Sequence, residues 1–319
     1  MNKEKLKIGF VVEQRSSYYN AMASTRLRAY DVIKGLKKQQ VKAELYYPYL
    51  KYDIVIFQKV FSKKYIRLAE KLKSNGCKII FDINVNYLDN DDTCVTETQQ
   101  QDIKEFIKIT DSVITASIYL KDIYSNIHHD VMCIEEIIED RFTQKHKTLN
   151  NTTNLYLLYC GHATKAKELF LIKDILRHIY DSYKIQIIYI CEKDPLIDII
   201  PYKFHKYNHK KLPEQILKAD IFINPRDISR QYNLGHSFTK IGYPMALGLP
   251  VIASPILSYE KSPAILCNTN EQWINNLTTL IHDPALRNQL ALEGQEFVKK
   301  NFAENIIIPK YIKLFKSLI

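Results

Sequence analysis

With 319 residues, 46% hydrophobic and 25% charged, the chain is long enough for two packed cores and too apolar for a disordered protein. Its net charge of +10 favours an anionic partner: nucleic acid, an acidic membrane surface or a phosphate-bearing small molecule. Six scattered cysteines with no CxxC pair speak against zinc and disulfide frameworks and for a reducing cytoplasm, while the polar opening MNKEKLKIGFVVEQ reads as no secretory leader.

From the N-terminus, short β-branched runs alternate with amphipathic stretches. KIGFVV (7–12), VKAELYY (41–47), DIVIFQ (53–58), KIIFDI (78–83) and SVITAS (112–117) predict strands of a parallel sheet buried on both faces. The intervening segments 23–38 and 62–76 carry helical spacing, with Ser24 expected as an N-cap and Gly76 as a stop. This alternation means βαβ units and a doubly wound α/β fold. The polar stretch 141–154 interrupts the rhythm and reads as a linker. The pattern then restarts with LYLLYC (155–160), a helix over 163–180, and strands at 184–190, 219–225, 249–254 and 264–267. The C-terminal part is helical, and Thr269 and Gln272 stand at capping-box spacing. Its last segment is basic and amphipathic and is expected to pack back on the N-terminal part rather than on a membrane. No apolar run reaches the roughly 20 residues of a membrane span.

The segment YNLGHSFTKIGYPMALGLPVIASP (232–255) combines glycines, hydroxyls and a lysine between two strands. It predicts a turn at the carboxyl edge of a sheet and a helix from about Ser237, whose first amides suit an anion. Gly235 would let a bound group approach, and Lys240 would meet the same phosphate. Neither a P-loop nor a GxGxxG fingerprint occurs.

This segment resembles the nucleotide-sugar motif of GT-B glycosyltransferases, in the form that runs N-x-G-K-S-x-x-K and ends P-V-V-A-S. Asn233, Gly235, Ser237, Lys240, Met245, Gly248 and Pro250 carry the match. Residues 23–38, 52–84 and 111–117 look like the N-terminal half of the same group 1 enzymes, and 212–225 and 283–302 like their C-terminal half. The resemblance implies two Rossmann-like domains facing a cleft: an acceptor-side domain over 1–145, a nucleotide-sugar domain over 151–300, and a C-terminal helix over 301–319.

The resemblance further implies sugar transfer from a nucleoside-diphosphate sugar to an acceptor hydroxyl, without a metal or other cofactor, by retention or, alternatively, by inversion with an Asp or His of the N-terminal half as base. The acceptor would be a glycan, a lipid-linked glycan or a protein, in bacterial-type surface polysaccharide or glycoconjugate synthesis. The setting would be the cytoplasm, at the inner face of an acidic membrane. Ser237 and the amides around His236 would hold the donor phosphates, with charge from Lys240 and Arg226. Gly161 matches the family's glycine, and His162 with Lys165 or Lys167 its basic pair. Tyr243 replaces the carboxylate that usually grips the ribose, and Tyr207 lies in the loop expected to meet the base. Ser24, Arg26, Asp82 and Asn84 face the acceptor side, with Asp82 alternatively a structural cap. A nucleotide-sugar epimerase and a non-catalytic sugar-nucleotide-binding subunit are the competing readings. Nucleic-acid binding is disfavoured, because the lysines are spread rather than clustered with aromatics.

Overall fold

The computed structural model describes residues 6–88, 95–147 and 155–319. The stretch Asn90–Asp91–Asp92, Cys94 and the second half of the expected linker, 148–154, lie outside them. The chain divides into two compact units. One comprises Met1–Ile137, Arg230–Ser237 and Glu304–Ile319, and the other Ile138–Ser229 and Phe238–Ala303.

Each unit is built on a six-stranded, all-parallel sheet. The first contains β1 (Lys7–Val12), β2 (Lys42–Leu45), β3 (Ile54–Gln58), β4 (Lys78–Ile83), β5 (Ser112–Thr115) and β6 (Val131–Cys133), in the order β2-β1-β3-β4-β5-β6. Side chains along its strands alternate between two cores. Ile8, Phe10, Ile54, Ile56 and Ile80 enter one, and Val11, Val55, Phe57, Ile79 and Phe81 the other. Burial on both faces is why these strands are apolar throughout rather than alternating with polar residues.

The second sheet contains β7 (Tyr156–Cys160), β8 (Gln186–Cys191), β9 (Tyr202–Lys206), β10 (Ile221–Asn224), β11 (Val251–Ala253) and β12 (Ile265–Leu266), in the order β12-β11-β10-β7-β8-β9. Strands β6 and β9 were not foreseen. The first is a three-residue edge strand, and the second is largely polar and never fully buried, so neither presents an apolar run. Residues 204–206, expected in a loop, therefore belong to β9.

Helix ends follow local chemistry where the chain supplies it. The helix Lys63–Ser74 stops at Gly76 with φ +84°: Gly76 N–H donates to the Lys73 carbonyl and Cys77 N–H to that of Leu72, closing the last turn. Thr269 and Gln272 cap the helix Asn270–His282 reciprocally. Ser24 is no cap. It lies inside a short turn, Ala23–Thr25, that continues through the wider turns of Arg26–Tyr30 into the helix Asp31–Lys38. The C-terminal helix Glu304–Leu318 belongs to the first unit. There Ile307, Ile308, Tyr311, Leu314 and Phe315 complete the core around β1 and the helix Asp31–Lys38, so its apolar face is already covered.

Candidate active site

In the second sheet, β7 is followed by β8 and β9 on one side, and the chain then returns to place β10 on its other side. The strand order reverses between β7 and β10, and open α/β sheets bind ligands at the carboxyl ends of such a pair. Gly161 follows β7, Arg226 follows β10, and Lys240 lies in the first turn of the helix Thr239–Ala246. All three belong to the second unit. The Lys240 ammonium rests on the bare Cα of Gly161, where a methyl group would collide with Nζ. It also stands 5.5 Å from the centre of the Tyr159 ring. Among the described residues no carboxylate pairs with it. Burial, and next the Arg226 guanidinium, pull its pKa down to about 8. Arg226 itself is buried and committed: Nη1 donates to Glu168 Oε2 at 2.8 Å, and its backbone N–H to Ser254 Oγ at 2.9 Å. Arg226 thus shapes the field at Lys240, whereas its expected role was direct phosphate contact.

The other basic positions lie more openly. His162 is exposed, with Nδ1 2.8 Å from Thr164 Oγ1 and Nε2 3.2 Å from Glu192. Glu192 also accepts from the Ala163 N–H at 3.0 Å, so a carboxylate already occupies the start of the tight helical turns Ala163–Ile172. Lys167 is exposed and Lys165 half-buried on the same turns.

Tyr243 stacks on Phe142 with ring centres 4.1 Å apart, and its hydroxyl lies 3.5 Å from Glu139 Oε2. Glu139 also accepts from Arg141 at 3.2 Å and lies 3.5 Å from His209, whose Nδ1 is 3.2 Å from the Tyr207 hydroxyl. A carboxylate from a neighbouring segment, Glu139, thus stands beside position 243.

Several residues of the motif 232–255 belong elsewhere. Gly235, His236 and Ser237 fall in the first unit, and the helix starts at Thr239 rather than at Ser237. Ser237 Oγ donates to Glu136 Oε2 at 2.6 Å, and His236 packs edge-on to Tyr232 at 5.3 Å. Gly235 has φ −75°, and a Cβ there would press on Leu120, so side-chain packing by itself accounts for the glycine.

Of the acceptor-side expectations, Asp82 resolves to structure. It is wholly buried at the end of β4, and both its oxygens receive Arg28, also wholly buried. Burial works against that charge, yet Asp82 raises the Arg28 pKa above its ordinary value. Arg26 is buried and donates to the Ala21 carbonyl at 3.2 Å. Asn84 donates to Glu136 at 3.4 Å. Ser24 alone of the four lines an open cavity. The acids Glu136, Glu139, Glu168 and Glu192 were missed. The first two sit in the acidic run 134–140 just past β6, which the carboxyl-edge rule would have flagged had that strand been recognised.

Among the described residues, no group of three or more metal-ligating side chains is placed to hold an ion, and no helix is long and apolar enough to cross a membrane. Comparison with known sequences finds no matching family and no matching curated protein. Solved structures do match. HepE from Anabaena, in complex with UDP and glucose, is similar at a TM-score of 0.70, covering 98% of this chain and 100% of that one at 12% identity. A glycosyltransferase from Rickettsia africae reaches 0.67 over 98% of both chains at 12% identity. An α-glucosyltransferase in complex with UDP-glucose and DNA containing an abasic site reaches 0.67 over 98% and 99% at 11% identity. The chain has the GT-B fold. Identities this low carry the likeness of fold alone, and function has to be argued from the site.

Proposed function

We propose that this chain is a glycosyltransferase that moves a hexose from a nucleoside-diphosphate sugar to an acceptor hydroxyl, with the donor on the second unit and the acceptor on the first. One observation carries the reading. Lys240 is a desolvated ammonium with no carboxylate paired to it among the described residues, held against Gly161 at the reversal of the second sheet. A cation in that state is costly unless an anion completes it, and a diphosphate supplies one. HepE and the α-glucosyltransferase are in complex with UDP and with UDP-glucose, which favours a uridine nucleotide here.

In this reading the bond from the sugar C1 to the diphosphate oxygen breaks as the acceptor oxygen bonds C1 on the same face, and the departing phosphate takes the acceptor proton. Lys240 and the field of Arg226 stabilise the charge that gathers on the leaving oxygen, so neither a metal nor a protein base is required. Glu139, presented at Tyr243, takes the ribose hydroxyls. With a surplus of ten positive charges, work on surface glycans at an acidic membrane face fits as the setting.

Incubation of UDP-hexoses with an acceptor panel, with and without EDTA, tests the proposal. Expected are UDP release that depends on acceptor, a product with the donor's anomeric configuration by NMR, and indifference to EDTA. Sugar isomerisation without an acceptor would instead establish the epimerase, and UDP-sugar binding without turnover the non-catalytic subunit.

A further inference from the structure

A cavity of about 600 Å³ opens in the first unit, lined by Glu13 just past β1 and by Gln58 at the end of β3. The chain runs from β1 to β2 on one side and returns to place β3 on the other, so this is the first sheet's own point of reversal. We propose that this cavity binds an uncharged saccharide, with the Gln58 amide as its central hydrogen-bonding group. The inference rests on the transferase reading and names the class of acceptor.

Three observations carry it. Gln58 is only 2% exposed, and Thr25 engages one end of its amide at 3.4 Å. Its Nε2 has no partner among the described residues. A buried amide N–H₂ left open is destabilising, and a ligand oxygen would satisfy it. Next, Lys59 holds φ +57°, a left-handed backbone that a side chain adopts at a cost, at the turn lining the cavity. Its ammonium lies 5.4 Å from the centre of the Tyr87 ring.

The third observation is charge. In a chain with 45 lysines and arginines and a net charge of +10, this lining holds one ammonium, Lys59, and one carboxylate, Glu13, among the described residues. The remainder is amides, hydroxyls, aromatic rings and aliphatic side chains. An anionic glycan would meet the Glu13 carboxylate and no excess of cations. A neutral sugar matches donors and acceptors with its hydroxyls and lays its C–H face on Tyr87 or Phe61.

Calorimetry and saturation-transfer NMR on the full chain, with maltose and cellobiose as neutral probes and a sulfated heparin disaccharide as the anionic one, test this without any donor. A neutral disaccharide is expected to saturate the protein and the sulfated one not to. Gln58→Leu is expected to weaken the neutral probe roughly tenfold with an unchanged melting temperature. Tyr87→Ala, at a half-buried ring, gives a second readout should Gln58→Leu unfold. Preference for the sulfated probe, absence of neutral binding, or wild-type affinity in both variants overturns the inference. UDP titrated into the same wild-type sample separates the two proposals. Saccharide binding without UDP binding sinks the donor reading alone, and UDP binding without saccharide binding sinks this one.

Discussion

The two units present the same architectural feature with opposite chemistry. In each, a parallel sheet reverses its strand order beside its first strand, between β1 and β3 or between β7 and β10. At the second reversal stand a buried guanidinium paired with Glu168 and an ammonium that pairs with no acid among the described residues. At the first, the buried guanidinium of Arg28 is neutralised by Asp82 inside the core, and the cavity is lined mainly by uncharged side chains, with Glu13 and Lys59 as its charged groups among the described residues. Topology therefore decides where a ligand can bind, and the pairing of a few charges decides which kind. An arginine closed off by a carboxylate becomes part of the frame, while a lysine left open can take an anion.

That contrast can be broken at each end. The largest expected effect is on stability. Asp82→Asn leaves the Arg28 guanidinium buried without its anion, and should cost about 3–5 kcal/mol in urea unfolding with UDP affinity unchanged. A loss of UDP affinity without destabilisation would instead make Asp82 a ligand residue.

Lys240→Ala should lower UDP affinity on the order of a hundredfold by calorimetry, the loss of one charge-assisted contact. Lys240→Met should also raise the melting temperature at neutral pH, because a desolvated cation is removed. The sign follows from the lowered pKa. Between about pH 8 and about pH 10.4 the unfolded chain holds a proton that the folded one has lost, so stability rises with pH there, and below that window the charge is carried at a cost.

The same shift makes donor binding depend on pH. UDP affinity should be flat below neutrality and fall through pH 8, reaching about tenfold weaker near pH 9, as the ammonium loses its proton. Lys240→Arg, which stays charged, should abolish the fall. Smallest is Glu192→Gln. Removing the carboxylate seated on Ala163 N–H and His162 should tighten UDP by roughly two- to threefold if the phosphates pass near that turn.

The sequence made the sheets and the second site unequally visible. Strands such as IVIFQ and KIIFDI declare themselves because both their faces are buried, whereas β6 and β9 are short or polar and give no period to read. Lys240 was read from the motif and Gly161 from the wider resemblance, and the structure brings these two together although they lie far apart in the chain. Asp82 and Arg226 were legible as charged residues at strand ends, but not as members of ion pairs. Their partners Arg28 and Glu168 come from other elements, and no spacing in the chain relates them. Gln58 was passed over because a glutamine ending a strand has no pattern of its own. Its significance lies in what fails to reach it.

By itself, the amino-acid order determined the α/β alternation, two successive strand sets and the helix ends at Gly76 and Thr269, since burial period and capping act over a few neighbouring residues. Only the folded chain decided which charges are neutralised and which stay open, and that Ser237 and Lys240, three residues apart, belong to different units. Electrostatic pairing and desolvation depend on distance in space, and the returning strands set that distance.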